Sequence, residues 1–70
     1  MRNAIHILRA EKRLSQAQLA ELVGVSRNSI NSIENGKFDP SLTLALRIAH
    51  VFGRSVEEVF DKSEVVKDLE

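Results

Sequence analysis

The stretch Gln16–Asn35, QAQLAELVGVSRNSINSIEN, decides the fold of this chain. Ser15, directly before it, opens a pattern typical of a capping box, which marks the start of a helix. Gly24 stands where a helix commonly ends in a left-handed residue. The sequence therefore predicts two short helices, at residues 16–23 and 27–34, joined by a three-residue turn.

The helix at 27–34 has an unusual composition. Its apolar side chains are Ile30 and Ile33, which lie three residues apart and therefore on one face. All its other side chains are polar, and most are short, which is an odd choice for a helix stabilised by packing alone. Two short helices joined by a turn that contains Gly form the helix-turn-helix pattern, whose second helix enters the major groove of DNA.

Outside this unit the sequence predicts three more helices and no convincing β-strand. Their positions are Ala4–Lys12, Leu42–Phe52 and a short segment that carries Val56, Val59 and Phe60. Four serines are placed to cap the second to fifth helices: Ser15, Ser26, Ser41 and Ser55. Because every connection is short, we expect an all-α fold, a compact five-helix domain over residues 1–61. The tail, 62–70, has apolar residues among charges and is a possible dimer contact. The apolar Val56, Val59 and Phe60 of the fifth helix are also expected to contribute to the dimer interface.

Composition limits the possibilities further. With 70 residues the chain has room for one small domain, and without cysteine it has neither disulfides nor thiolate zinc ligands. The formal net charge is zero, but residues 1–37 carry a net +3 and residues 38–70 a net −3. Such a chain can present one basic face. No apolar run approaches the roughly 20 residues that span a bilayer, and the start does not read as a signal peptide, so we expect a cytoplasmic protein without a membrane partner.

Many spaced positions resemble the Cro and phage-repressor type of helix-turn-helix domain, also called the xenobiotic-response-element family. The resemblance covers about residues 3–60 and is carried by Leu14-Ser15-Gln16, Leu19-Ala20, Gly24-Val25-Ser26, Ile30, Ile33-Glu34-Asn35-Gly36, Pro40-Ser41-Leu42, Leu44-Ala45, Ile48-Ala49 and Phe52-Gly53. One position departs from the pattern, because Arg13 stands where many members of the family have Gly.

The resemblance implies a lambda-repressor-like DNA-binding domain that acts as a symmetric dimer on a palindromic operator. The residues expected to read bases are Arg27, Asn28, Asn31 and Ser32. Those expected to contact the DNA backbone are Gln16, Ser29, Asn35 and Lys37. The resemblance also implies a partly buried ion pair between Arg9 and Glu34. The side-chain chemistry agrees, since an Arg fork matches guanine O6 and N7 and an Asn amide matches adenine N6 and N7.

We therefore expect a sequence-specific transcriptional regulator, a repressor that acts as a homodimer on double-stranded operator DNA and is nucleoid-associated when bound. Two alternatives stay open. The chain is consistent with an antitoxin-type partner whose DNA binding serves autoregulation, and with a helical interaction module whose polar third helix meets another protein. A steep loss of binding with salt favours DNA, whereas a salt-insensitive complex favours the interaction module.

Other functions find no support in the sequence. There is no glycine-rich phosphate loop and no plausible catalytic triad, and the chain is too short to enclose a pocket, so we expect no enzyme, no cofactor and no small-molecule ligand. His6 and His50 lie far apart without a third ligand beside either, which argues against a metal site. Phe38 is predicted to anchor its loop by dipping into the core.

Overall fold

The computed structural model describes residues 1–61, and the possible dimer contact in 62–70 lies outside this range. Five helices form this part of the chain, as predicted: α1 Ile5–Lys12, α2 Gln16–Val23, α3 Arg27–Glu34, α4 Leu42–Phe52 and α5 Val56–Val59. Two strands of two residues each lie at its ends, β1 Arg2–Asn3 and β2 Phe60–Asp61.

Serine side chains begin four of the five helices, as the sequence predicts. The Ser15 hydroxyl accepts the main-chain N–H of Gln18 at 3.0 Å, and the Gln18 side chain accepts the N–H of Ser15 at 2.8 Å. Ser55 and Glu58 form a second capping box of the same kind. Ser26 and Ser41 accept the N–H three residues further along. Each cap satisfies donors that the first turn of a helix leaves unpaired.

The core lies where α4 packs against α1, α2 and α5, while α2 and α3 pack against each other. Its largest fully buried side chains come from all five helices: Ile5, Leu19, Ile30, Ile33, Ile48 and Val59. No polar or charged residue is fully buried within residues 1–61. Truncating one of these isoleucines to alanine is expected to cost about 2–5 kcal/mol of unfolding free energy.

The two strands correct the prediction that the chain has none. Arg2 pairs with Asp61 and Asn3 with Phe60 in antiparallel register. Phe60, expected on the fifth helix, is extended at φ −117° and ψ 128°, and this backbone brings its ring into the core at 3% exposure. Strands of two residues are too short to produce a periodic pattern, so the sequence carried no signal for them.

The prediction that Phe38 anchors its loop in the core is wrong, because its side chain is 54% exposed. The N-terminal segment covers the neighbouring end of α3 instead. Met1 packs against the core there, and the Asn3 amide donates to the main-chain carbonyl of Ile33 at 2.8 Å. The two ends of the described chain and the last turn of α3 are thereby joined.

Arg13 adopts the left-handed conformation, with φ 56° and ψ 40°, and within residues 1–61 no other residue except glycine has a positive φ. Its N–H donates to the carbonyl of Ala10 at 3.2 Å, and the N–H of Leu14 donates to the carbonyl of Arg9 at 2.9 Å, so α1 ends here. Left-handed backbone costs a residue with a Cβ about 1–2 kcal/mol. The turn therefore has the geometry that a glycine favours, despite the arginine.

Candidate nucleic-acid interface

The turn between α2 and α3 is stabilised by hydrogen bonds to one carbonyl and by one left-handed glycine. The carbonyl of Ala20 accepts the N–H groups of Gly24 at 2.9 Å and of Val25 at 3.0 Å. Gly24 is left-handed at φ 80°, which ends α2 at no steric cost. Ala20 is only 3% exposed, so a small side chain is required where the two helices meet.

The two faces of α3 differ sharply in their surroundings. Ile30 and Ile33 are fully buried and hold the helix on the domain. Arg27, Asn28 and Asn31 are exposed on the other face. Ser29 and Ser32, also among the predicted DNA-contacting residues, are half-buried. The structure thus brings the predicted base-reading residues onto one helix, with three of the four exposed.

The first turn of α3 carries Arg27 and Asn28, whose side chains form no hydrogen bond with any part of the chain that the structure describes. Ser29 behaves differently, because its hydroxyl lies 3.0 Å from that of the capping residue Ser26. Lys37 is exposed just beyond the other end of the helix, and its N–H bonds to the carbonyl of Ser32 at 2.9 Å.

Arg9 and Glu34, from α1 and α3, form a two-pronged ion pair. Arg9 Nε donates to Glu34 Oε2 at 3.0 Å and Nη2 donates to Oε1 at 2.8 Å, while Nη1 donates to the carbonyl of Leu14 at 2.9 Å. The two side chains are 14% and 8% exposed. Burial raises the pKa of Glu34, but the hydrogen bonds and charge of Arg9 outweigh it, with help from Gln16 and His6, so the pKa lies below its usual 4.5.

His6 joins this ion pair, which the sequence reasoning did not predict. Its Nδ1 lies 3.2 Å from Glu34 Oε1, although the imidazole is 79% exposed. The signal was present in the sequence, since His6 and Arg9 lie three residues apart on α1 and therefore on the same side of the helix. His6 therefore extends the Arg9–Glu34 pair to a third side chain.

A cluster of three amides joins α2 to α3, which sequence reasoning also missed. Gln16 Nε2 donates to Asn31 Oδ1 at 3.2 Å, and Asn35 Nδ2 donates to the same oxygen at 3.4 Å. Gln16 also helps to lower the pKa of the neighbouring Glu34 carboxyl. These contacts link residues far apart in the sequence, so they depend on how α1, α2 and α3 pack. The amide cluster, Gln16, Asn31 and Asn35, lies beside the partly buried ion pair of Arg9 and Glu34.

Residues 1–61 contain no group of three or more His, Asp or Glu side chains that could hold a metal ion. No helix in the same range is long and apolar enough to cross a membrane.

Comparison with known proteins identifies the family. Residues 5–59 match the family described as Helix-turn-helix, HTH_3, and the chain belongs to it. This is the Cro or xenobiotic-response-element type that the sequence motifs resemble. An uncharacterized HTH-type transcriptional regulator from Methanocaldococcus jannaschii is 48% identical over 86% of this chain and 91% of its own length. The immunity repressor protein of Bacillus phage phi105 is 31% identical over 91% of this chain and 44% of its own.

Solved structures agree with the family assignment. The restriction-modification controller protein C.AhdI from Aeromonas hydrophila superposes with a TM-score of 0.73 and 34% identity, over 80% of this chain and 85% of its own. The clp gene regulator ClgR from Corynebacterium glutamicum gives a TM-score of 0.75 and 29% identity, over 94% and 70%. The protein is therefore a transcriptional regulator with a helix-turn-helix DNA-binding domain, and it is not an enzyme.

Proposed function

We propose that this protein is a sequence-specific repressor that binds a palindromic operator as a homodimer, with α3 in the major groove. The observation that carries the proposal is the contrast on α3. Ile30 and Ile33 fix one face on the domain, while Arg27, Asn28 and Asn31 project from the other face without burial. A helix held in this way can present polar groups to base edges without losing its packing.

The proposed contacts divide into base readers and backbone contacts. Arg27 and Asn28 read purine edges, because their unbonded side chains start the recognition helix. Asn31 and Ser32 read further along the groove. Contacts to phosphate come from the start of α2, the cap of α3 and the loop beyond it, through Gln16, Ser29, Asn35 and Lys37. The main-chain N–H of Gln16, at the first position of α2, suits a phosphate oxygen.

Repression follows from occupancy. A domain seated in the major groove across a promoter excludes other proteins from the same base pairs, and it needs no further activity to do so. The similarity to a phage immunity repressor supports this sign of regulation. A regulator of this kind acts where the DNA is, in the cytoplasm at the nucleoid.

The proposed dimer uses the face of α4 and α5. Leu42 and Leu46 are 71% and 53% exposed, one turn apart on α4. Leu46 also lines an open groove with Val56 of α5. Val59 and Phe60, which the sequence suggested for the interface, are buried at 1% and 3% inside the domain and are unavailable. Two-fold pairing would place the two α3 helices about 34 Å apart, one turn of DNA.

Selection of binding sites from random duplex DNA, followed by affinity measurements across a salt series, tests the proposal. We expect enrichment of an inverted repeat and a steep loss of affinity with salt. Recovery of no sequence, together with a salt-insensitive complex with another protein, would instead identify an interaction module.

Light scattering tests the dimer separately. Leu46→Gln should shift the protein toward monomer and weaken operator binding, whereas Leu22→Gln, at an equally exposed leucine on α2, should change neither. A wild-type protein that is monomeric even on the operator contradicts the dimer.

A further inference from the structure

We propose that Gln16 is a positioning residue that fixes the amide of Asn31 with its NH₂ group outward, so that Asn31 selects guanine rather than adenine. The inference rests on the proposed function, because it concerns how α3 reads a base. It adds a specificity-determining arrangement that the residue types alone do not reveal.

The orientation of Asn31 follows from its two neighbours. Its Oδ1 accepts one hydrogen bond from Gln16 Nε2 at 3.2 Å and another from Asn35 Nδ2 at 3.4 Å. An amide oxygen has two lone pairs, so both are occupied. The Nδ2 group keeps its two hydrogens for a ligand. In this state the side chain of Asn31 donates and does not accept.

The orientation of Gln16 is fixed in turn by the ion pair behind it. Gln16 lies beside the Glu34 carboxylate and helps to lower its pKa, and an ionised carboxylate only accepts hydrogen bonds. The nitrogen of the Gln16 amide, rather than its oxygen, is therefore the atom that suits the side of Glu34, which Arg9 holds with two hydrogen bonds. The same nitrogen donates to Asn31 Oδ1 at 3.2 Å. Turning the amide over would bring its oxygen against both a carboxylate and the oxygen of Asn31.

This hydrogen-bond chain changes what Asn31 can read. The usual pairing of an Asn amide with adenine needs the oxygen to accept from N6 while the nitrogen donates to N7. With the oxygen engaged, the outward NH₂ would meet the N6 amino group of adenine, donor against donor. Guanine offers N7 and O6, two acceptors side by side, which suit a donor-only group. The structure thus favours guanine where the sequence alone suggested adenine.

Gln16→Ala tests the proposal, because it removes one donor to Asn31 and keeps the main-chain N–H of residue 16 that is proposed to contact phosphate. Site selection with wild type and Asn31→Ala first identifies the base pair whose preference depends on Asn31. We expect guanine there in the wild type. In Gln16→Ala the freed lone pair lets the amide turn, and the ratio of guanine to adenine should fall at least about fivefold at that position alone.

Lys37→Ala is the matched control, since Lys37 is a proposed phosphate contact that makes no hydrogen bond to the amide cluster. It should weaken every sequence alike and leave the guanine-to-adenine ratio unchanged. A second measurement follows the Asn31 side-chain NH₂ by ¹⁵N NMR in the free protein. Its resonances should shift in Gln16→Ala and stay in place in Lys37→Ala.

Three results overturn the inference. The first is that the wild type selects adenine at the Asn31-dependent position. The second is that Gln16→Ala, like Lys37→Ala, leaves the guanine-to-adenine ratio unchanged. The third is that the Asn31 NH₂ resonances do not shift in Gln16→Ala. Failure of the proposed function looks different, because the wild type then enriches no sequence at all, and the inference falls with it.

Discussion

The two halves of α3 differ in whether their polar side chains are bonded to the rest of the domain. We call the first turn the free half and the second part the tied half. In its first turn, Arg27 and Asn28 are exposed and their side chains make no hydrogen bonds within residues 1–61. In its second half, Asn31 and Glu34 are tied to α1 and α2 by hydrogen bonds and an ion pair. Free side chains adapt to a ligand but lose rotamer entropy on binding, whereas tied ones are already ordered. One helix thus combines adaptable and preorganised groups.

Breaking the ion pair should have the largest effect on the tied half. Arg9→Ala or Glu34→Ala leaves a nearly buried charge without its partner and should lower the unfolding free energy by about 2–3 kcal/mol. The double variant should lose less than the two single losses combined, as chemical denaturation of all four proteins would show.

Arg54→Ala is the control for this cycle. Arg54 contacts Glu11 and Glu58 at 3.6 Å, and its side chain is 45% exposed, so its removal should cost about 0–1 kcal/mol. Additive losses for Arg9 and Glu34, or a cost no larger than that of Arg54→Ala, would show that the tied half is not held by the pair.

The free half should respond in binding and not in stability. Arg27→Ala should weaken operator binding by about 1–3 kcal/mol and relax selectivity at one base pair per half-site, with the unfolding free energy unchanged. Lys37→Ala should weaken all DNA alike and reduce the salt slope by about one. Operator and random-sequence affinities across a salt series separate the two. Equal weakening of both DNAs by Arg27→Ala would place Arg27 with the phosphate contacts.

Lowering the pH should weaken the ion pair that holds the tied half. Because the pKa of Glu34 is lowered in the folded state, its contribution to stability is present above its unfolded value near 4.5 and is lost as the pH falls through the folded value. The pKa of Glu58 is lowered as well, through its hydrogen bonds with Ser55, so the wild type alone does not isolate Glu34.

Glu34→Gln provides the comparison, since it keeps Glu58 and removes one titration. The difference in unfolding free energy between wild type and Glu34→Gln should narrow as the pH is lowered below about 4.5. Denaturation curves between pH 7 and pH 3 measure it. A difference that stays constant across this range would mean that Glu34 titrates alike in the folded and unfolded chain.

The smallest expected effect concerns Arg13, which directly precedes Leu14, whose carbonyl accepts a hydrogen bond from Arg9. Arg13→Gly relieves left-handed strain next to Leu14, and the greater freedom of glycine in the unfolded chain offsets part of the gain. We expect a net stabilisation of about 0.5–1 kcal/mol, measured by thermal unfolding, with operator affinity unchanged. Arg13→Ala, which keeps a Cβ, should not stabilise, and a loss of stability in Arg13→Gly would rule out strain at this turn.

Local patterns were sufficient for most of the fold. The serine caps of α2 to α5, the left-handed glycine after α2 and the apolar spacing on α3 were all predicted correctly, because each depends on neighbours within about four residues. The same local logic found the exposed face of α3. The local patterns failed at Phe60, which is extended and pairs with the N-terminal segment, and at Phe38, which is exposed. Both outcomes depend on where the N-terminal segment packs on the domain.

The sequence by itself determined five helices, the turn at Gly24 and an exposed polar face on α3, since periodicity and capping depend on residues that are close together in the chain. Tertiary structure alone decided that β1 pairs with β2, that His6 contacts Glu34 and that Gln16 bonds Asn31. These contacts join residues from 15 to almost 60 positions apart. Their partners become defined only when the helices pack, because a hydrogen bond requires an approach to about 3 Å that no one-dimensional spacing specifies.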